Sequence, residues 1–284
     1  MRDQDPFLAK KRLFQVVDVI LNNSLRKNYI SIASISNSEW EDFVVAEAKR
    51  LVKEDCGGIA EIEPVFEPDL SLAKDRICAA LCTIARYDPE MFSEIKQHVW
   101  MIKIFCGKIT MGFTDMRILG AMLIRLPAKV ASPVMYFVEH IVHEASHIHL
   151  NCLMAIDPLI LNSPDDRYIS PLRTDLRPMM GVFHAMYVSA KIARTFMKLY
   201  LGTGNNKLLQ PLAETLDETI RGIAEIEKNA QLTFMGQSLL ASVKEFIDSA
   251  KLLPEWKQYN FSKENIHRYG VGATKVAAFH QLVV

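Results

Sequence analysis

The stretch PVMYFVEHIVHEASHIHLNCLMA, residues 133–155, decides how this chain is read. It opens on Pro133, which suits the first turn of a helix, and runs on without glycine or a second proline through apolar residues at helical spacing. It therefore reads as one long central helix. At its centre stands His143-Glu144-Ala145-Ser146-His147, an HExxH pentad. Residues four apart on a helix lie one above the other, so the two imidazoles can converge on a single ion while Glu144 sits about 100° round the axis beside them. His140 shares the face of His143 without the i+4 spacing and reads as supporting or structural, and His149 points elsewhere.

A metal that does chemistry needs a third protein ligand and open positions for water or substrate. Downstream of the pentad, residues 157–178 contain Pro158, Pro164, Pro171 and Pro178, a loop of a length that is usually functional. A helix from Met179 to Leu201 follows, stopped by the Gly202-to-Asn206 turn. His184 falls in its apolar start and is the leading third ligand. Asp157, Asp165, Asp166 and Asp175 in the loop are the alternatives, and a carboxylate there would give the facial arrangement of non-heme iron oxygenases. Arg173 and Arg177, four apart, form a pair suited to gripping an acidic cosubstrate or substrate.

Upstream, Val99–Cys106 and Leu119–Ile124 are short, β-rich apolar runs that read as two strands, the second placed to receive an extended peptide. Everything before them is expected to be helical: a first helix from Asp5 to about Ile30, a second from Ser38 ended by Cys56-Gly57-Gly58, then Leu72–Tyr87 and Pro89–Gln97 after a loop over Ile62–Leu70. Leu208–Leu253 gives two more helices around a break near Phe234–Gly236. Gly270-Val-Gly-Ala-Thr-Lys275 lacks the spacing of a phosphate loop and reads as a turn. The expected organisation is a helical N-terminal region, residues 1–98, and a metal-binding catalytic region, residues 99–284, in one continuous globular unit. The fold class is mainly α (α+β), with a zincin-like metal helix and a small sheet.

Composition bounds the function. The 284 residues carry 33 Lys+Arg against 33 Asp+Glu, so the chain lacks the charge footprint of a partner for nucleic acid or an anionic membrane. Charges scattered through the first twenty residues leave no signal-peptide core, and no later run has the ~18 apolar residues of a membrane span. Five cysteines at irregular spacing fit a reducing, cytoplasmic setting. Cys78 and Cys82, four apart, are expected to be small buried residues.

The ordered set of His143-Glu-Ala-Ser-His147, Asp157-Pro158, Ser170-Pro-Leu-Arg173, Arg177-Pro178, Gly181-Val-Phe-His184 and Val188-Ser-Ala-Lys-Ile-Ala-Arg194 resembles the HExxH-type 2-oxoglutarate-dependent peptide β-hydroxylases, once labelled only as HExxH-motif peptide-modification proteins. The resemblance covers about fifty residues. It implies Fe(II), 2-oxoglutarate and O₂, and hydroxylation at a β-carbon in a ribosomally made precursor peptide. On this chain it implies His143, His147 and His184 as iron ligands and Arg173 or Arg177 as the partner of the distal carboxylate of 2-oxoglutarate. Leu172 and Met180 depart from the family's pattern beside the loop arginine and Gly181, which bears on pocket shape. The alternative is a zinc metallopeptidase, in which Glu144 is the general base toward water; in the oxygenase Glu144 has no obligatory base role.

Overall fold

The computed structural model describes residues 30–36, 38–173 and 175–255. The helix expected from Asp5 and the turn at 270–275 lie outside the described residues. Strand β3 (Met101–Lys108) is the spine of a five-stranded mixed sheet. Along one edge, β1 (Ser31–Ser34) runs parallel to its first half and β2 (Glu61–Pro64) antiparallel to its second half. Along the other, β5 (Ala121–Arg125) is parallel, with Ile102 opposite Met122, and β4 (Gly112–Thr114) pairs antiparallel with β5, Phe113 opposite Leu123.

Both sheet faces are covered, which is why β3 and β5 read as nearly continuous apolar runs. The pleat sends Ile102, Ile104, Met122 and Ile124 to the larger core, and Phe105, Ala121 and Leu123 to a smaller one. The smaller core is closed by helix α1 (Glu39–Cys56), whose Val44, Ala48 and Val52 recur every four residues. Gly57, in the left-handed region at φ 65°, ends that helix. A buried ion pair joins helix and sheet: Lys103 Nζ lies 2.6 Å from Glu41 Oε1, and Glu41 also accepts from the Ser36 amide and hydroxyl.

Helices α2 (Asp69–Tyr87), α3 (Pro89–His98) and α4 (Pro133–Met154) form the larger core with α5 (Met179–Thr203), and α6 (Leu209–Asn229) and α7 (Phe234–Ala250) complete it. The chain is thus mainly helical with a small mixed sheet. No helix among the described residues is long and apolar enough to cross a membrane.

Four expectations are corrected. The region before residue 98 is not wholly helical: β1 and β2 are four-residue strands, too short and polar to carry a period of their own, and β3 organises them. The expected loop over Ile62–Leu70 accordingly begins inside β2. The run Leu119–Ile124 does hold a strand, but β5 is paired on both edges by β3 and β4 and has no edge to offer a peptide. Cys78 and Cys82 are exposed free thiols, because the buried stripe of α2 is Ala73, Ile77, Ala80 and Ile84.

Candidate metal centre

Helix α4 is largely apolar and lies inside the molecule, so His140, His143 and His147 are buried by the packing of neighbouring elements. His143 and His147 are 4% and 3% exposed, and their Nε2 atoms approach to 3.1 Å. Two nitrogens each about 2.1 Å from one ion and separated by roughly 90–110° around it stand about 3.0–3.4 Å apart, so this pair fits two adjacent corners of a metal site.

His184 reaches the same layer from α5. Its ring centre is 5.4 Å from that of His147, close to the 4.8 Å between His143 and His147, and its Nδ1 lies 3.1 Å from His147 Nδ1. It therefore meets His147 through the nitrogen that His143 does not use. On its other side, His184 Nε2 is 3.2 Å from Met154 Sδ. Complete burial, reinforced by His147, holds the His184 imidazole well below its ordinary pKa, which favours its neutral form. Among the described residues no three His, Cys, Asp or Glu side chains stand as a ready set of metal ligands. His143 faces His147 through Nε2 and His184 faces it through Nδ1, so the three rings lie side by side without converging on one point.

Of the loop acids, Asp157 caps the chain at Leu159 and accepts from Thr233 Oγ1 at 2.6 Å, while Asp165 and Asp166 are exposed. Asp175 lies between the two arginines: its Oδ1 is 2.7 Å from Arg173 Nε and its Oδ2 2.8 Å from Arg177 Nε. The arginine pair thus grips a carboxylate, one supplied by the chain itself. His140 donates from Nδ1 to the Tyr136 carbonyl at 2.8 Å and stacks on the Tyr136 ring, a structural role. His149 turns to the opposite side, to Glu94 and Tyr187.

Glu144 is directed at the sheet. Its carboxyl is hydrogen-bonded to the side chain of Thr114 on β4, and burial pushes its pKa well above the ordinary carboxylate range. A Cβ at Gly112 would stand 2.7 Å from Glu144 Oε1, so the glycine is what leaves room for the carboxyl. Sequence reasoning missed Gly112 and Thr114, since a three-residue strand thirty residues upstream carries no motif. It also passed over Asn151 and Met154, although both continue the helical stripe of His147. No family model and no curated protein matches the chain.

Proposed function

We propose that the protein is an Fe(II)- and 2-oxoglutarate-dependent oxygenase that hydroxylates a peptide, in an aqueous reducing compartment. His143, His147 and His184 would hold the iron, with the His184 ring turned to present its lone pair beside the other two. Arg173 or Arg177 would bind the distal carboxylate of 2-oxoglutarate. The observation that carries the reading is the 3.1 Å approach of two buried Nε2 atoms, with a third neutral imidazole in the same layer. When bound, such a metal supplies coupled oxidation: one atom of O₂ enters a substrate C–H bond as hydroxyl, and the other enters 2-oxoglutarate, which leaves as succinate and CO₂.

The chain's own residues do the rest. The buried histidine layer keeps bulk water from the reacting atoms, and the two arginines orient a dicarboxylate by bidentate pairing. Glu144, tied to Thr114, braces the metal helix against β4 and has no proton to move in this chemistry.

Zinc peptidase is the second reading, favoured by β4 lying antiparallel at the sheet's end beside Glu144, where an extended peptide could align. An anaerobic titration of metal-free protein with Fe(II) and then 2-oxoglutarate separates the two. The oxygenase is expected to develop the visible charge-transfer band of a chelated keto acid, lost in His184→Ala and weakened in Arg177→Ala. No band, with zinc held tightly, would move the assignment to the peptidase. Glu144→Gln adds a second discriminator, because substantial turnover in that variant removes the peptidase.

A further inference from the structure

His147, Asn151 and Met154 are spaced i, i+4 and i+7 on α4 and therefore share one face. His184 touches the first through Nδ1 and the last through Nε2, so its ring lies along this stripe and Asn151 faces the same layer. Asn151 is 1% exposed, and neither its Oδ1 nor its Nδ2 has a hydrogen-bond partner among the described residues. A buried polar atom left unmade costs about 1–3 kcal/mol, so a residue needed only for packing would be leucine here.

We propose that Asn151 recognises a side-chain carboxamide, that of asparagine or glutamine, in the peptide that the histidine layer acts on. The proposal rests on the peptide-modifying reading above. A carboxamide presents one donor and one acceptor side by side, and both of Asn151's are open. A second primary carboxamide satisfies both at once through two antiparallel N–H···O bonds. A carboxylate offers only acceptors and would face Oδ1 with another oxygen, and an ammonium or guanidinium would leave Nδ2 without an acceptor. Asn151 stands one turn, about 6 Å along the axis, beyond His147, so a carboxamide held there keeps the carbons of its own side chain near the histidines.

The test uses the full chain and three probes, N-acetyl-L-asparagine methylamide, its glutamine counterpart and its aspartate counterpart, with binding read by calorimetry. The unsubstituted protein is expected to bind one carboxamide probe at least tenfold more tightly than the aspartate probe, and the better of the two names the residue. Asn151→Leu is expected to abolish that preference while keeping or raising Tm. Equal affinity for carboxamide and carboxylate in the unsubstituted protein overturns the proposal, whatever the variant does. A lowered Tm in Asn151→Leu overturns it too, since the amide would then be structural. The 2-oxoglutarate band in Asn151→Leu keeps the two readings apart: a retained band with lost probe binding isolates Asn151, whereas a band absent from the unsubstituted protein counts against the oxygenase alone.

Discussion

Glu144 and Asp175 are the two carboxylates whose placement matters most, and each is held by neighbours that the motif does not name. The Glu144 carboxyl shares a hydrogen bond with Thr114 and fills the space left by Gly112, where an added Cβ would also meet the Leu123 carbonyl oxygen at 3.0 Å. Because that oxygen belongs to the backbone of a paired strand, it cannot move aside cheaply. Gly112→Ala is expected to cost about 1–3 kcal/mol in denaturant unfolding, and Thr114→Val about 1–2 kcal/mol from the lost bond. Glu144→Gln, which keeps a partner for Thr114, should lose less than Glu144→Ala; equal losses would show that the bond contributes nothing. Asp175 occupies both arginines with the chemistry a dicarboxylate would bring. Asp175→Ala is therefore expected to lower the 2-oxoglutarate concentration for half-saturation several-fold, read from the charge-transfer band, and a higher concentration would show that Asp175 organises the arginines instead of competing for them.

Helices were legible in the sequence where the period was long: α4 and α5 begin at the expected Pro133 and Met179, and α2 and α3 within three residues of expectation. What the period could not show is how helices meet. Glu94 on α3 lies 2.5 Å from Lys191 Nζ on α5 and 3.2 Å from His149 Nδ1 on α4, joining three helices across 97 residues of sequence. Burial alone would raise the Glu94 pKa, but the His149 bond and the two neighbouring charges outweigh it and hold it at about 2. A carboxyl depressed in the folded state stabilises above its unfolded value near 4.5 and loses that contribution as pH falls toward 2. The shift corresponds to roughly 3 kcal/mol, partly offset by the burial of Lys191, which lowers that ammonium's own pKa. Glu94→Gln is expected to cost about 1–3 kcal/mol at pH 7 and to flatten the decline of stability between pH 4.5 and 2, measured by urea unfolding. A second junction is steric: a Cβ at Gly222 on α6 would stand 2.6 Å from Met186 Cβ on α5, so Gly222→Ala should force these helices apart and lower Tm.

At the scale of the molecule, the histidine pair was legible because helical geometry alone brings i and i+4 together. Strand β4, which braces it, was not, and nor were β1 and β2, because all three exist only through pairing with β3 and β5. The placement of His184 needed both kinds of information, a spacing that marks it as apolar-faced and a crossing of α4 and α5 that sets it beside His147. The proposed metal centre would tie global stability to metal. A cation that binds only the folded chain adds RT ln(1 + [metal]/Kd), about 2.7 kcal/mol at a hundredfold excess over Kd. Fe(II) under anaerobic conditions, or Zn(II), is expected to raise Tm in a concentration-dependent way, and a chelator to return it to the metal-free value. His143→Ala and His147→Ala should remove the increment, because each takes away half of the pair whose Nε2 atoms are 3.1 Å apart. His184→Ala should reduce it without abolishing it if the third imidazole turns to join the pair, and leave it untouched if His184 stays with Met154. Saturating Fe(II) or Zn(II) with no shift in Tm would refute a metal centre at this layer altogether, and the histidines would then be a hydrogen-bonded core that spans α4 and α5.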